Sequence, residues 1–534
     1  MSSGGNEGGK VEDVLLAGRW QSAHYKEVFQ PWNPARGEKI ANYYPVSTWD
    51  DIELALDEAW RTIIPLMKSR RREKANFFSK LADLLEERRE EVLAMAHLET
   101  GLPVEPRLNS NEFPRMINQL RQAAVACEEG SWCQATIDTK LNIRSKYEPL
   151  GGVVIIFSPN NFPLAFNSVG GGDFISALAV GNPVICKANP AHPGTTKLIA
   201  SAAKEALEAS GLPLAAVQML YHFGDDDGLR LVSHPYVAAI AFTGSRQAGL
   251  KIKEVAEKAG KIVSCELSSV NPVFFFPGII KEKLGTLASE LFASCTLGEG
   301  QFCTKPGLAV FLQEPRGKEF LAHLCDVFST EPAGYLLSPQ VQKRLEAQIF
   351  ELQQSGAELL CGGHALPGPG FRFAPTLFKV EGERFLARPE AFQTEVFGPL
   401  TVAVMVENVS QMINVAWALE GSLAISVFAS AAQEDEKLYS LLEPVLRLKA
   451  GRLLNDKMPT GVAVTSAVHH GGPFPATGHP GFTAVGIPVS FLRFAARRCY
   501  DNIPESRLPE ELRKKNPNSR MWRYIDGQWS QADF

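Results

Sequence analysis

A chain of 534 residues exceeds one ordinary core and calls for two or three domains. Its 45% hydrophobic and 21% charged residues are ordinary for a globular protein, and a net charge of -5 leaves no electrostatic footprint for nucleic acid or an anionic membrane. No apolar run approaches bilayer length, residues 1–10 read as a floppy Gly/Ser tail and not a signal peptide, and the 9 cysteines include no C-x-x-C pair, so free thiols in a reducing, cytoplasmic setting are expected.

Apolar residues at helical spacing (Phe77, Leu81, Leu84, Leu85, Val92, Leu93) predict helices over 50–67 and 70–98. Gly101 and Pro103 stop the second, and a third is expected over 112–127. The rhythm then changes. Strand-like runs at 153–157, 184–187, 217–221, 237–242 and 262–267 alternate with helical segments after Pro163, Pro193 and Ser245. Short apolar strands separated by helices mean βαβ units and a parallel sheet, here read as a dinucleotide-binding half. A second α/β run follows over 271–454, with strands at 272–276 and 308–312 and helices over 282–297 and 317–328. Residues 141–147 and 491–499 fit neither half and read as strands of a small extra sheet; the polar stretch 501–534 reads as an extended arm.

Several residues carry chemical potential. Cys303 follows Gly300-Gln301-Phe302, where glycines leave room for a ligand to approach the backbone and peptide N–H groups can lower a thiol's pKa. Glu266 ends a predicted parallel strand, the place where α/β sheets bind ligands and where a carboxylate can abstract a proton. Asn161, just after another strand, can donate its amide N–H to a developing oxyanion. Thr243-Gly244-Ser245 joins a strand to a helix whose N-terminus suits phosphate, and Lys187 ends a strand where a ribose hydroxyl or phosphate can sit. Gly170-Gly171-Gly172 lacks the pyrophosphate spacing. Each residue alone has an ordinary structural explanation as a buried thiol, a cap or a turn.

In series they do not. Asn161-Phe162-Pro163, Lys187, Phe242-Thr243-Gly244-Ser245, Glu266-Leu267, Gly300-Gln301-Phe302-Cys303 and Glu395-Val396-Phe397-Gly398-Pro399 resemble the aldehyde dehydrogenase superfamily in order and spacing, over almost the whole chain. The resemblance implies an α/β fold: a Rossmann-type cofactor domain (11–134 and 152–267), an α/β catalytic domain (268–470), a small oligomerisation β-sheet (135–151 and 471–500) and a C-terminal arm (501–534). It implies Cys303 as nucleophile, Asn161 and the Cys303 N–H as oxyanion donors and Glu266 as the base that activates water. For the cofactor it implies Ser158, Lys187, Thr243, Gly244, Ser245 and Leu267, with Glu395 on the nicotinamide ribose and Phe397 near the ring. A small-molecule aldehyde, a homodimer or homotetramer, and no nucleic acid, membrane or metal complete the expectation.

Asn160 stands where the family usually has Trp, and Ser268-Ser269 where it has Gly-Gly. With Glu99-Thr100-Gly101-Leu102-Pro103, Gln119-Leu120-Arg121 and His469-His470-Gly471-Gly472-Pro473, these departures resemble the α-ketoglutaric semialdehyde dehydrogenase group and the bacterial NADP-dependent fatty aldehyde dehydrogenases. His469-His470 invites a metal reading that no further spacing supports; a loop beside the substrate funnel or a surface turn is expected instead. NAD or NADP is the expected cofactor. Pro190 replaces a ribose-binding Glu, which leans slightly to NADP, whereas Asp225-Asp226-Asp227 would repel a 2'-phosphate if it lay close. A semialdehyde's carboxylate needs a cation, with Arg115 and Arg121 as candidates, although a helix salt bridge from Glu112 to Arg115 is the favoured reading. Phe166, Phe302 and Phe482 could instead line an apolar tunnel. The competing functions are fatty or CoA-linked aldehyde oxidation, a CoA-acylating enzyme, which commonly lacks the base that Glu266 supplies here, and a non-enzymatic binding protein on the same scaffold.

Overall fold

The computed structural model describes residues 9–330, 334–430 and 433–534; residues 1–8 of the expected N-terminal tail lie outside them. The first two expected helices are each broken in two. Trp49–Arg61 stops at Thr62, whose hydroxyl bonds back to the Ala59 carbonyl, and Ile63–Lys68 restarts with Pro65 in its first turn, where a missing N–H is harmless. Arg71–Glu87 and Arg89–Thr100 meet at Arg88, outside helical geometry at φ -102 and ψ 16. The third helix, Phe113–Glu129, ends on Gly130 in the left-handed region, as a C-terminal glycine favours.

Arg71–Glu87 packs on Phe113–Glu129 and on the helix Pro193–Ser210, while Trp49–Arg61 packs on a 7-stranded sheet. Its parallel strands run Ile262–Glu266, Val237–Thr243, Val153–Phe157, Val184–Lys187, Val217–Leu220 in spatial order, and the antiparallel Val14–Leu16 and Arg19–Gln21 close the far edge. Chain order therefore reverses between Val153–Phe157 and Val237–Thr243. Such a switch point opens a crevice beyond the carboxyl ends of the strands, where ligands bind in doubly wound sheets. The strand residues Val154, Ile155, Ile185 and Ile240 are fully buried, as expected of strands covered on both faces.

The helix expected after Pro163 begins only at Gly172. The turns before it are held by the Glu112 carboxylate, which accepts the Leu164 and Ala165 N–H groups at 2.8 and 2.9 Å, and by Asn167, whose amide donates to the Pro163 carbonyl at 2.7 Å. These local bonds offer the backbone an alternative to helix, and they keep Asn161 on a loop at the sheet's carboxyl edge.

A second 7-stranded sheet contains Thr376–Glu381, Leu400–Val406, Leu308–Leu312, Val273–Phe275, Ser422–Phe428 and Ala450–Asn455 in parallel, with Glu358–Cys361 antiparallel at one edge. Its strands carry Val310, Val404, Ile425 and Val427 into a separate apolar core. A 5-stranded sheet joins Ala495–Asp501, Ile143–Pro149, Thr136–Asp138, Arg523–Ile525 and Gln528–Ser530. The arm is thus a β-hairpin docked on its own chain. Its Arg523 is fully buried and donates to the carbonyls of Arg513, Lys514 and Ala532, while Leu508, Leu512 and Met521 pack on Cys133, Ala135 and Ile137. Polar composition concealed this, because the apolar residues of the arm are few and scattered. Among the described residues no helix is long and apolar enough to cross a membrane.

Candidate active site

The crevice at the switch point is a cleft of ≈ 1020 Å³ between the two large sheets. Every residue expected at the site lines it: Ser158, Asn161, Lys187, Thr243, Gly244, Ser245, Glu266, Leu267, Cys303, Glu395 and Phe397. Glu266 ends the edge strand Ile262–Glu266, which the loop around Thr477 clamps through an isolated bridge: Leu267 N–H donates to the Ala476 carbonyl at 2.9 Å, and Gly478 N–H to Cys265 at 3.0 Å.

Cys303 sits on a tight turn after a left-handed run, with φ 56 at Gly298, 55 at Glu299 and 66 at Gly300. The sequence suggested that these glycines admit a ligand; instead Gly300 faces protein. A Cβ there would lie 2.0 Å from the Gly398 carbonyl oxygen, so the glycine lets the cysteine loop close on the Glu395–Pro399 segment. Asn271, itself at φ 47, fixes the turn from below by donating to the Cys303 and Lys305 carbonyls at 2.8 and 3.0 Å. Asn161 donates its amide to the Gln301 carbonyl at 2.8 Å, which draws it to the same loop.

A third side chain joins Cys303 and Glu266. His470 Nε2 lies 3.9 Å from the Cys303 sulfur and 3.0 Å from Glu266 Oε2. The His470–Glu266 contact is one of charge and proximity: Oε2 takes no well-aligned hydrogen bond among the described residues, and neither does His470 Nδ1. The imidazole is positioned by its own backbone, whose N–H donates to Thr483 Oγ1 and whose carbonyl accepts from Ala484, each at 2.8 Å. The sequence places the His469-His470 pair on a loop beside the substrate funnel or a surface turn, but does not point to contact with the cysteine. Its signal is absent from local spacing because the imidazole reaches the cysteine across a sequence gap of 167 residues. The three ligand-type atoms lie within 4.8 Å of one another, a spacing that a soft metal ion can also bridge.

Electrostatics separates their roles. Burial pushes the Cys303 thiol well above its ordinary pKa, and the Glu266 charge and hydrogen bond add to this, with Arg115 opposing. For Glu266, burial works to raise the carboxyl, but His470, the Cys303 thiol and Arg115 outweigh it and hold the group below the usual range. An ionised carboxylate therefore sits beside a protonated thiol, an arrangement suited to proton transfer.

Along the cleft, Ser245 caps the helix Arg246–Lys258 by accepting the Ala248 N–H at 3.4 Å. Burial pushes Lys187 down to about 8, partly offset by Asp225. The acidic helix start thus stands within charge range of Lys187. Glu395 is pushed up to about 7 by burial, against the opposing influence of Lys305, Ser268 and Ser269. Ser268, one of the departures from the family pattern, thereby supports the carboxylate expected at the ribose.

A second cavity of ≈ 1100 Å³ opens on the other side of the cysteine loop, lined by Arg115, Phe162, Phe302, Glu299 and Val462. The salt bridge expected from Glu112 to Arg115 is not formed. Glu112 is taken by Arg107, whose Nη1 binds Oε2, and by the two backbone N–H groups named above. Arg121 points elsewhere, to Asp83 at 2.6 Å and Glu86 at 2.8 Å. Of the three aromatics, Phe302 lines this cavity, Phe166 lies between Arg115 and His470 at 5.0 and 6.1 Å, and Phe482 stacks on His479 at 4.0 Å beside a small pocket that His470 also lines.

A doubly wound sheet facing a second α/β sheet, with a cysteine and a carboxylate where two cavities meet, defines an oxidoreductase that acts on aldehydes. The chain belongs to the aldehyde dehydrogenase family, whose sequence pattern it matches over residues 20–465. It is 35% identical over 514 residues to α-ketoglutaric semialdehyde dehydrogenase 2 of Azospirillum brasilense, covering 94% of this chain and 97% of that protein. To α-ketoglutaric semialdehyde dehydrogenase of Acinetobacter baylyi it is 33% identical, covering 88% and 90%. The fold is similar to that of aldehyde dehydrogenase C of Pseudomonas syringae, solved with NAD+ and octanal, at TM-score 0.80 and 19% identity, covering 93% of this chain and 98% of that one.

Proposed function

We propose that the protein oxidises a semialdehyde, of which α-ketoglutaric semialdehyde is the leading candidate, to its acid through a thioester on Cys303. The observation that carries this reading is the Cys303–Glu266–His470 cluster, with Asn161 drawn to the same loop. The thiol proton passes to the neighbouring imidazole of His470, and the sulfur adds to the aldehyde carbon. The side-chain amide of Asn161 and the Cys303 peptide N–H receive the oxyanion. The bound nicotinamide supplies the hydride acceptor for the thioester-forming step. Glu266, held ionised, then takes a proton from water, which adds to the thioester carbon and releases the acid and the free thiol. The presence of that base favours hydrolysis over transfer to CoA.

The cleft suits a dinucleotide chemically: a capped helix N-terminus at Ser245 for the pyrophosphate, Lys187 at one ribose and the buried Glu395 at the other. Asp225 beside Lys187 adds repulsion against a 2'-phosphate, and this outweighs the lean to NADP that Pro190 suggests, so NAD is the proposed cofactor. The semialdehyde assignment draws support from the two relatives above 30% identity.

A rapid-mixing experiment tests the mechanism. Glu266→Gln should give a burst of one reduced cofactor per site while steady turnover falls by about 100-fold or more, the range for loss of a general base. A burst that disappears together with turnover would place Glu266 before the thioester and overturn the assignment. The same assay with NAD against NADP tests the cofactor reading.

A further inference from the structure

Arg115 is a guanidinium with no direct ion-pair partner among the described residues; Glu112 and Glu266 act on it only at longer range. The Arg115 Nε and Nη2 are shut off from solvent and make no hydrogen bond among those residues. What surrounds it is aromatic: its Cζ lies 5.0 Å from the ring centre of Phe166 and 5.9 Å from that of Phe162. Cation–π contact of this kind is a weak attraction. Leaving a buried charged group without partners costs several kcal/mol. The rings orient the guanidinium but do not offset its burial.

The carboxylates that share the cavity are otherwise engaged. Glu112 holds Arg107 and two backbone N–H groups. Glu105 accepts from Asn109 and Ser110. Glu299 is pushed up to about 7 by burial and bonds the Gly334 backbone. None of them pairs with Arg115. Selection for folding alone would replace such a cation with an apolar side chain of similar volume. Its planar fork instead matches a carboxylate in two parallel hydrogen bonds.

We propose that Arg115 is the specificity-determining residue of the aldehyde cavity and binds the carboxylate at the far end of the substrate, so the protein selects anionic aldehydes over uncharged ones of the same length. This rests on the semialdehyde reading above and deepens it by naming the group that recognises the charge. The cation sits within charge range of Cys303 and Glu266; Phe162 and Phe302 line the cavity with it, and Phe166 packs on Phe162. A carboxylate entering this cavity gains a desolvated partner, whereas an alkyl tail leaves the guanidinium unpaired, so discrimination comes from both arms.

The test compares wild type with Arg115→Met and Arg115→Lys. Kinetics with succinic semialdehyde against butanal should show the kcat/KM ratio of anionic to neutral substrate falling by about 30-fold or more in Arg115→Met, mainly through KM, with partial recovery in Arg115→Lys. Thermal unfolding should show Arg115→Met at least as stable as wild type, which a structural cation would not give. Calorimetry with 2-oxoglutarate, an unreactive dicarboxylate, reads the anchor without turnover: wild type should bind it and Arg115→Met should lose it. Loss of dicarboxylate binding in a protein that turns over no aldehyde would uphold the anchor and sink the reaction. An unchanged substrate ratio with unchanged dicarboxylate binding would overturn the anchor and leave the reaction standing.

Discussion

At the residue scale, the raised thiol of Cys303 and the lowered carboxyl of Glu266 make opposite demands on pH. A thiol above its ordinary pKa is protonated at neutral pH, and its thiolate fraction grows about tenfold for each unit of rising pH until the pKa is reached. Alkylation of Cys303 by iodoacetamide should therefore be slow at neutrality and accelerate steadily into the alkaline range. Glu266, being lowered, stays ionised well into mildly acidic solution, so deacylation should persist there. Replacing His470 by Gln removes the imidazole 3.9 Å from the sulfur, and the neutral-pH alkylation rate should fall by about 10-fold or more. A variant alkylated as fast as wild type at every pH would show that the imidazole takes no part in activating the thiol.

At the element scale, Glu99 pins one helix to the start of another. From the end of Arg89–Thr100 its carboxylate accepts the N–H groups of Gly194 and Thr195 and the Thr195 hydroxyl at 2.7–2.8 Å, all in the first turn of Pro193–Ser210. That helix follows Lys187 and Asn189, which line the cleft. Glu99→Ala leaves buried donors unpaired and should cost about 3 kcal/mol in chemical denaturation; a loss below about 0.5 kcal/mol would mean that the helix start finds other partners.

The same scale shows what could be read from the sequence. The strands Val153–Phe157, Val184–Lys187 and Leu308–Leu312 coincide with their expected bounds, because short runs of β-branched residues between turn signals have few alternatives. The breaks at Thr62 and Arg88 were hidden, since apolar periodicity continues across both. Cys303, Glu266 and Asn161 could be found because a series of motifs carried them. His470 and Arg115 could be named only beside competing readings, a surface turn for one and a helix salt bridge for the other: a histidine in a loop and an arginine on a helix acquire meaning only when distant segments close around them, here after Glu112 has turned to Arg107.

At the scale of the whole molecule, the arm beyond Asp501 is part of the folded chain. Strand Arg523–Ile525 runs parallel to Thr136–Asp138, and the buried Arg523 joins separate turns of the arm through backbone carbonyls. Arg523→Ala orphans those carbonyls and should destabilise the protein by about 2 kcal/mol or more. Removing residues 502–534 should lower the unfolding temperature further by baring Cys133, Ala135 and Ile137. A truncated chain that unfolds like the full one would return the arm to the status of an accessory.

The two cavities lie on either side of the cysteine loop. Asn161 and Cys303 look onto the first, while their neighbours Phe162 and Phe302 look onto the second. Each reactant thus has a doorway of its own. On the function proposed above, a dinucleotide seated in the first would leave the second open to the aldehyde.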